Sequence, residues 1–155
     1  MAAVQPFVTG IVGDGILDDW SWLLKQPHRV VVVTKMGDAF VRDPQGKILF
    51  LDTMEGSLQP AADNVDAFKD ALQRGTTNSE WLMLGLVAHL EQQGQQLGPG
   101  QCFSYTIPPV LGGAIEPTNV EVVDVSVHFS IAGQIHRQVK DLPPGTPVGD
   151  VKISD

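Results

Sequence analysis

The chain has 155 residues, 43% hydrophobic and 18% charged, with one cysteine and a formal net charge of −8. That length suits a single domain over residues 1–155 with its own core, and the composition is too apolar for a disordered chain. One thiol excludes an internal disulfide, no apolar run nears the ~20 residues that span a bilayer, and MAAVQPFVTGIVGDG lacks the features of a secretory leader, so a cytoplasmic protein is expected.

Residues Leu17, Trp20, Leu23 and Leu24 fall at helical spacing ahead of Pro27. Arg29–Thr34, RVVVVT, is β-branched and almost wholly apolar, which predicts a buried strand. Two alternating runs, Asp38–Arg42 and Lys47–Asp52, flank Asp43-Pro44-Gln45-Gly46, a type I turn pattern, and predict a hairpin. A turn and a short antiparallel strand are expected over Thr53–Gln59. Asp63 is placed to cap a helix to about Gln73 that carries Val65, Phe68, Ala71 and Leu72 on one face. Asn78 is placed to cap a second helix, apolar nearly all round from Trp81 to Leu90, which predicts a central position.

Gln101–Ile107 reads as a strand, Pro108–Thr118 as a stiff loop, and Val120–Val125 as another strand. The period then changes. Val127, Ile131, Ile135 and Val139 are four apart, which is helical, and Pro143-Pro144-Gly145 forbids continuation. A small, mainly antiparallel sheet with helices packed around it is an α+β fold. Its two main blocks are a hairpin-plus-helix segment at 28–72 and a loop, strand and helix segment at 101–146.

Reactive constellations are hard to find. His128 and His136 are eight residues apart on one predicted helix, about 12 Å at ~1.5 Å per residue, too far to share a metal ion. Their simplest role is hydrogen bonding at a helix junction. Cys102 has no base nearby in sequence and reads as a small buried hydrophobe. GIVGDG lacks the preceding strand of a dinucleotide site, and Asp14, Asp18 and Asp19 would repel phosphate. Asp43 and Asp52 are explained by turn and strand-end geometry. No catalytic, cofactor-binding or metal site is expected.

The charge is informative instead. Residues 53–134 carry nine acids but only Lys69 and Arg74 as bases. Such a field repels nucleic acid and draws in basic partners. The Pro108–Thr118 loop, stiffened by three prolines and followed by Glu121 and Asp124, would form a preorganised acidic ledge.

Two blocks carry a family resemblance. GDAFVRDPQGKILFLDTMEGSLQPAADNVDAFKDAL, Gly37 to Leu72, resembles the hairpin-and-helix segment of bacterial immunity proteins associated with type VI secretion DNase toxins. It also resembles the broader SMI1/KNR4-like immunity superfamily. GQCFSYTIPPVLGGAIEPTNVEVVDV and HFSIAGQIHRQVKDLPPGT resemble the carboxy-terminal half of the former family, with PP-x-LGG and GQIH-x-Q-x-KDLP-x-G as the distinctive strings. The resemblance implies a cognate toxin as partner, a nuclease, neutralised by occlusion of its active site without catalysis. No cofactor, no direct nucleic-acid contact and no membrane association are expected. The shared motifs are fold elements, so the expected partner-binding residues come from the ledge: Glu116, Glu121 and Asp124, with Tyr105 as an anchor. Two other readings stay open. One is an interaction module for a partner that is not a toxin. The other is a small-molecule enzyme using His128, His136 or Asp124 in a pocket under the proline loop.

Overall fold

The computed structural model describes residues 5–10, 12–77, 79–143 and 145–154. Strands β1 (Arg29–Val33), β2 (Ala39–Arg42), β3 (Ile48–Asp52) and β4 (Ser57–Ala62) form an antiparallel meander in that order. A second, two-stranded antiparallel sheet pairs β5 (Gln101–Tyr105) with β6 (Val120–Asp124). The helices are α1 (Val65–Arg74), α2 (Ser79–Leu82), α3 (Leu84–Gln92) and α4 (Val125–Val139), so the class is α+β. No helix among the described residues is long and apolar enough to cross a membrane.

The meander forms where local chemistry directs it. Gly46 closes the β2–β3 turn by donating its N–H to the Asp43 carbonyl at 3.0 Å, and the Asp43 carboxylate accepts the Gln45 and Lys47 N–H groups. The pleat then sorts the side chains. Ala39, Val41 and Leu51 enter one core with Trp20, Val125 and Phe129, while Phe40, Ile48 and Phe50 enter another with Phe68 and Leu82. Both faces of β2 and β3 are therefore covered. Burying a phenylalanine such as Phe40 contributes about 1.5–3 kcal/mol.

Several expectations are corrected. RVVVVT is buried only at its end: Arg29–Val32 are exposed or half-buried, whereas Val33 and Thr34 are buried where Phe7 bridges Thr34 and the Val8 N–H donates to the Val33 carbonyl at 2.8 Å. The first helical segment is a 3-10 helix, Asp14–Trp20, held by Asp14 Oδ1 accepting the Val30 N–H at 2.7 Å. The cap of α1 is Asn64, whose side chain accepts the Ala67 N–H at 2.8 Å, one residue after Asp63. The cap expected at Asn78 and the stop at Pro144 lie outside the described residues.

The apolar helix after residue 78 is not central. It breaks at Met83, which adopts φ 48°, a left-handed conformation that a side chain resists. The break lets one segment serve two cores. Trp81 stacks on Phe50 at 4.5 Å, whereas Val87 and Leu90 pack on Phe103 and Val120 of the small sheet. Leu84 is left exposed.

Helix α4 follows β6 directly and lies against the 3-10 helix. Trp20 Nε1 donates to the Phe129 carbonyl at 2.9 Å, Trp22 Nε1 to the Gly133 carbonyl at 3.2 Å, and Ser130 Oγ to Asp19 at 2.6 Å. Gly133 makes that approach possible, since a Cβ there would sit 2.5 Å from the Asp19 carbonyl oxygen. The buried stripe of α4 is thus Val125, Phe129, Gly133 and His136. Of the expected stripe, Ile135 is buried, but Val127 and Ile131 are exposed.

Candidate functional site

The two histidines of α4 reach the turns at one end of the meander. Gly37 and Gly56, with φ 79° and 71°, follow β1 and precede β4. In each the imidazole occupies the space a Cβ would fill: His128 over Gly37 and His136 over Gly56. Only glycine meets both demands, positive φ and no side chain.

Thr53 ties the two rings together. His128 Nε2 lies 2.9 Å from the Gly37 carbonyl and 3.0 Å from Thr53 Oγ1, while its Nδ1 is 2.8 Å from Ser104 Oγ. This network assigns the proton to Nε2, which donates to the carbonyl, and leaves Nδ1 to accept from Ser104. His136 Nε2 donates to the Thr53 carbonyl at 2.8 Å. Buried Asp38 accepts from the Thr53 N–H at 2.8 Å and its hydroxyl at 2.9 Å.

Burial governs how these groups titrate. It holds His128 down at about 4, against the Gly37 carbonyl. It also lowers His136, outweighing the Thr53 carbonyl and the charge of Asp52. It raises Asp38 to about 8, helped by Asp52 and opposed by the two bonds from Thr53. At neutral pH the network is two neutral imidazoles and a largely protonated acid.

Above this floor lies a cavity of about 250 Å³. Met36, Met54 and Met83 contribute to its walls, with Val127, Ile131 and Ile135 of α4 on one side and Pro108–Val110 as a roof. Val127 is 47%, Val110 40% and Ile131 37% exposed. The roof is firm. Two 3-10 turns, Pro109–Leu111 and Pro117–Asn119, give the loop more structure than its composition suggested. The Asn119 side chain accepts the Ile107 N–H and donates to the carbonyls of Ile107 and Ala114, all within 2.9 Å. Gly113 packs so tightly on the Ile107 carbonyl that no Cβ fits.

Of the expected partner-binding residues, Tyr105 and Glu121 line this cavity, whereas Glu116 and Asp124 do not. Strand parity places Glu121 and Asp124 on opposite faces of β6. Glu116 is exposed ahead of the second 3-10 turn. Burial, then Asp38 and Asp52, pushes the Tyr105 hydroxyl up to about 12. Burial also raises Cys102, with Asp38 and Asp124 adding to it, which keeps the thiol protonated. The methionine wall and the Val127–Ile131 edge escaped sequence reasoning. Three methionines at turn or helix-break positions were the available signal, since methionine suits adaptable surfaces.

His128 and His136 do meet at one cavity, but without Asp124. Ser104 and His128 stand at the separation of a nucleophile and its base. A base held near 4 accepts a proton poorly at neutral pH, and its other nitrogen faces a backbone carbonyl. The arrangement suits support of a firm cavity better than proton transfer. Among the described residues no cluster of three or more His, Cys, Asp or Glu could hold a metal ion.

No curated protein matches the chain. Among solved structures it resembles the crystal structure of Atu4351 from Agrobacterium tumefaciens, at 14% identity and a TM-score of 0.53, covering 69% of this chain and 54% of that one. The likeness is one of fold, and the chain spans about half of that protein's length. The matching family model begins at the end of β4 and includes the proline loop, β6 and most of α4, which together form the roof and one wall of the cavity. Over residues 62–136 the chain matches the type VI secretion immunity family described as T6SS immunity protein Tdi1, C-terminal.

Proposed function

We propose that the protein is a cytoplasmic immunity protein that binds a cognate type VI secretion toxin, a nuclease, and blocks its active site. The observation that carries this reading is the overlap of the family segment with the roof and α4 wall of the cavity. Apolar side chains normally face inward, so the exposed Val110, Val127 and Ile131 around one opening suit a partner surface. Tyr105 and Glu121 then lie within the contact, with Glu116 in the adjoining loop, whereas Asp124 faces the other side of β6.

The charge supports a nuclease as the partner. A nuclease needs a basic groove for phosphates, and the acid excess of residues 53–134 complements one. Negative potential would speed encounter, while apolar anchors would set the residence time. No bond is made or broken. The test is a DNA-cleavage assay with a nuclease encoded beside this gene. Cleavage falls to background near one equivalent of this protein, and undiminished cleavage at excess rejects the reading.

A further inference from the structure

We propose that the cavity is a socket for one long basic side chain of the partner, a lysine or arginine, a proposal that rests on reading this face as the toxin-binding site. The size points to a side chain. At about 250 Å³ the cavity is smaller than the ~300–1,000 Å³ typical of small-molecule sites. The wall suits an unbranched aliphatic stem, because Met36, Met54 and Met83 are themselves flexible and adjust to such a shape.

Charge complementarity selects the head group. No lysine or arginine lines the cavity. Its ionisable lining is Asp38, Tyr105, Glu121, His128 and His136. Both imidazoles have their Nε2 facing backbone carbonyls, and Asp38 is occupied by Thr53. Glu121 is exposed, and the ion pairs among the described residues (Lys35–Glu91, Arg74–Asp70 and Lys140–Asp141) leave it without a cation. A purely apolar anchor would strip water from Glu121 and give nothing in return, and an acidic one would be repelled. A basic side chain buries its stem on the methionines and keeps its charge at the mouth beside Glu121, with the Tyr105 ring within the same lining.

The test uses the whole chain with methyl-labelled methionine, titrated with n-butylammonium, n-propylguanidinium and neutral n-pentanol. The expected result is saturable shifts of the Met36, Met54 and Met83 methyl signals, with both cations binding at least about fivefold more tightly than pentanol. In Glu121→Gln the cations lose about fivefold and pentanol is unchanged. Equal binding of pentanol and the cations, no response to E121Q, or no methyl shift at all overturns the socket. No toxin enters this titration, so a negative result removes the socket alone, whereas the cleavage assay judges neutralisation.

Discussion

Helix α4 serves two regions that differ in kind. Toward the 3-10 helix and the turns of the meander it is sealed: Phe129 is fully buried, Gly133 meets backbone, and His128 and His136 each cover a glycine. Toward the proline loop the same helix presents Val127 and Ile131 to an opening. One side has every described hydrogen-bonding imidazole matched to a partner, and the other has apolar groups and a carboxylate without one. The difference separates what holds the fold together from what is available to another molecule.

Substitutions should divide along that line. Phe129→Ala attacks the sealed side most directly and should cost about 3–5 kcal/mol in urea unfolding, because a cavity opens in the core. Gly37→Ala should cost about 2–4 kcal/mol, combining an unfavourable positive φ with a Cβ placed in the His128 ring. If either variant kept its full stability, the contact of α4 with the 3-10 helix and the meander turns would not be what holds the fold together.

Acidity sharpens the same contrast at about 1–2 kcal/mol. Asp38 is raised to about 8, so the folded state binds more protons than the unfolded one between about 4 and 8, and stability declines as pH rises through that window. His128 is lowered to about 4, and His136 is lowered too, so the unfolded state binds more protons below about 6.5 and stability declines on acidification there. Two histidines oppose one acid in the lower window, while Asp38 acts alone above it. The urea midpoint should therefore peak near pH 6.5, and Asp38→Asn should abolish the fall between about 6.5 and 8. A midpoint that rises steadily to pH 8 would contradict the buried acid.

The smallest stability effect belongs to the open side. Val127→Ser with Ile131→Ser should change stability by only about 0.5 kcal/mol per site, yet weaken binding of the proposed toxin partner at least about tenfold. Equal loss of folding and binding would erase the distinction between the two sides.

The sequence carried the class, the β2–β3 hairpin and the switch from β6 to α4 because these depend on local chemistry: alternation, a Pro-Gly turn and a change of period. It misplaced Val127 and Ile131 because α4 has two apolar stripes, and spacing cannot say which one meets the core. It read one helix where Met83 divides two, since that break answers to Phe50 and Phe103, residues distant in the chain. Tyr105 and Glu121 were reachable from the acidic ledge. The cavity between them was not, because its methionines come from three separate turns and breaks that only the tertiary fold assembles.

A toxin seated on the opening beneath the proline loop would touch its methionine wall. That contact is tested most directly by the methyl-methionine spectrum of this protein bound to a nuclease that it neutralises. Met36, Met54 and Met83 should shift together while the backbone amides of Gln45 to Lys47 stay in place. A tight, neutralising complex with those three methyl signals unmoved, and the β2–β3 turn shifted instead, would contradict it.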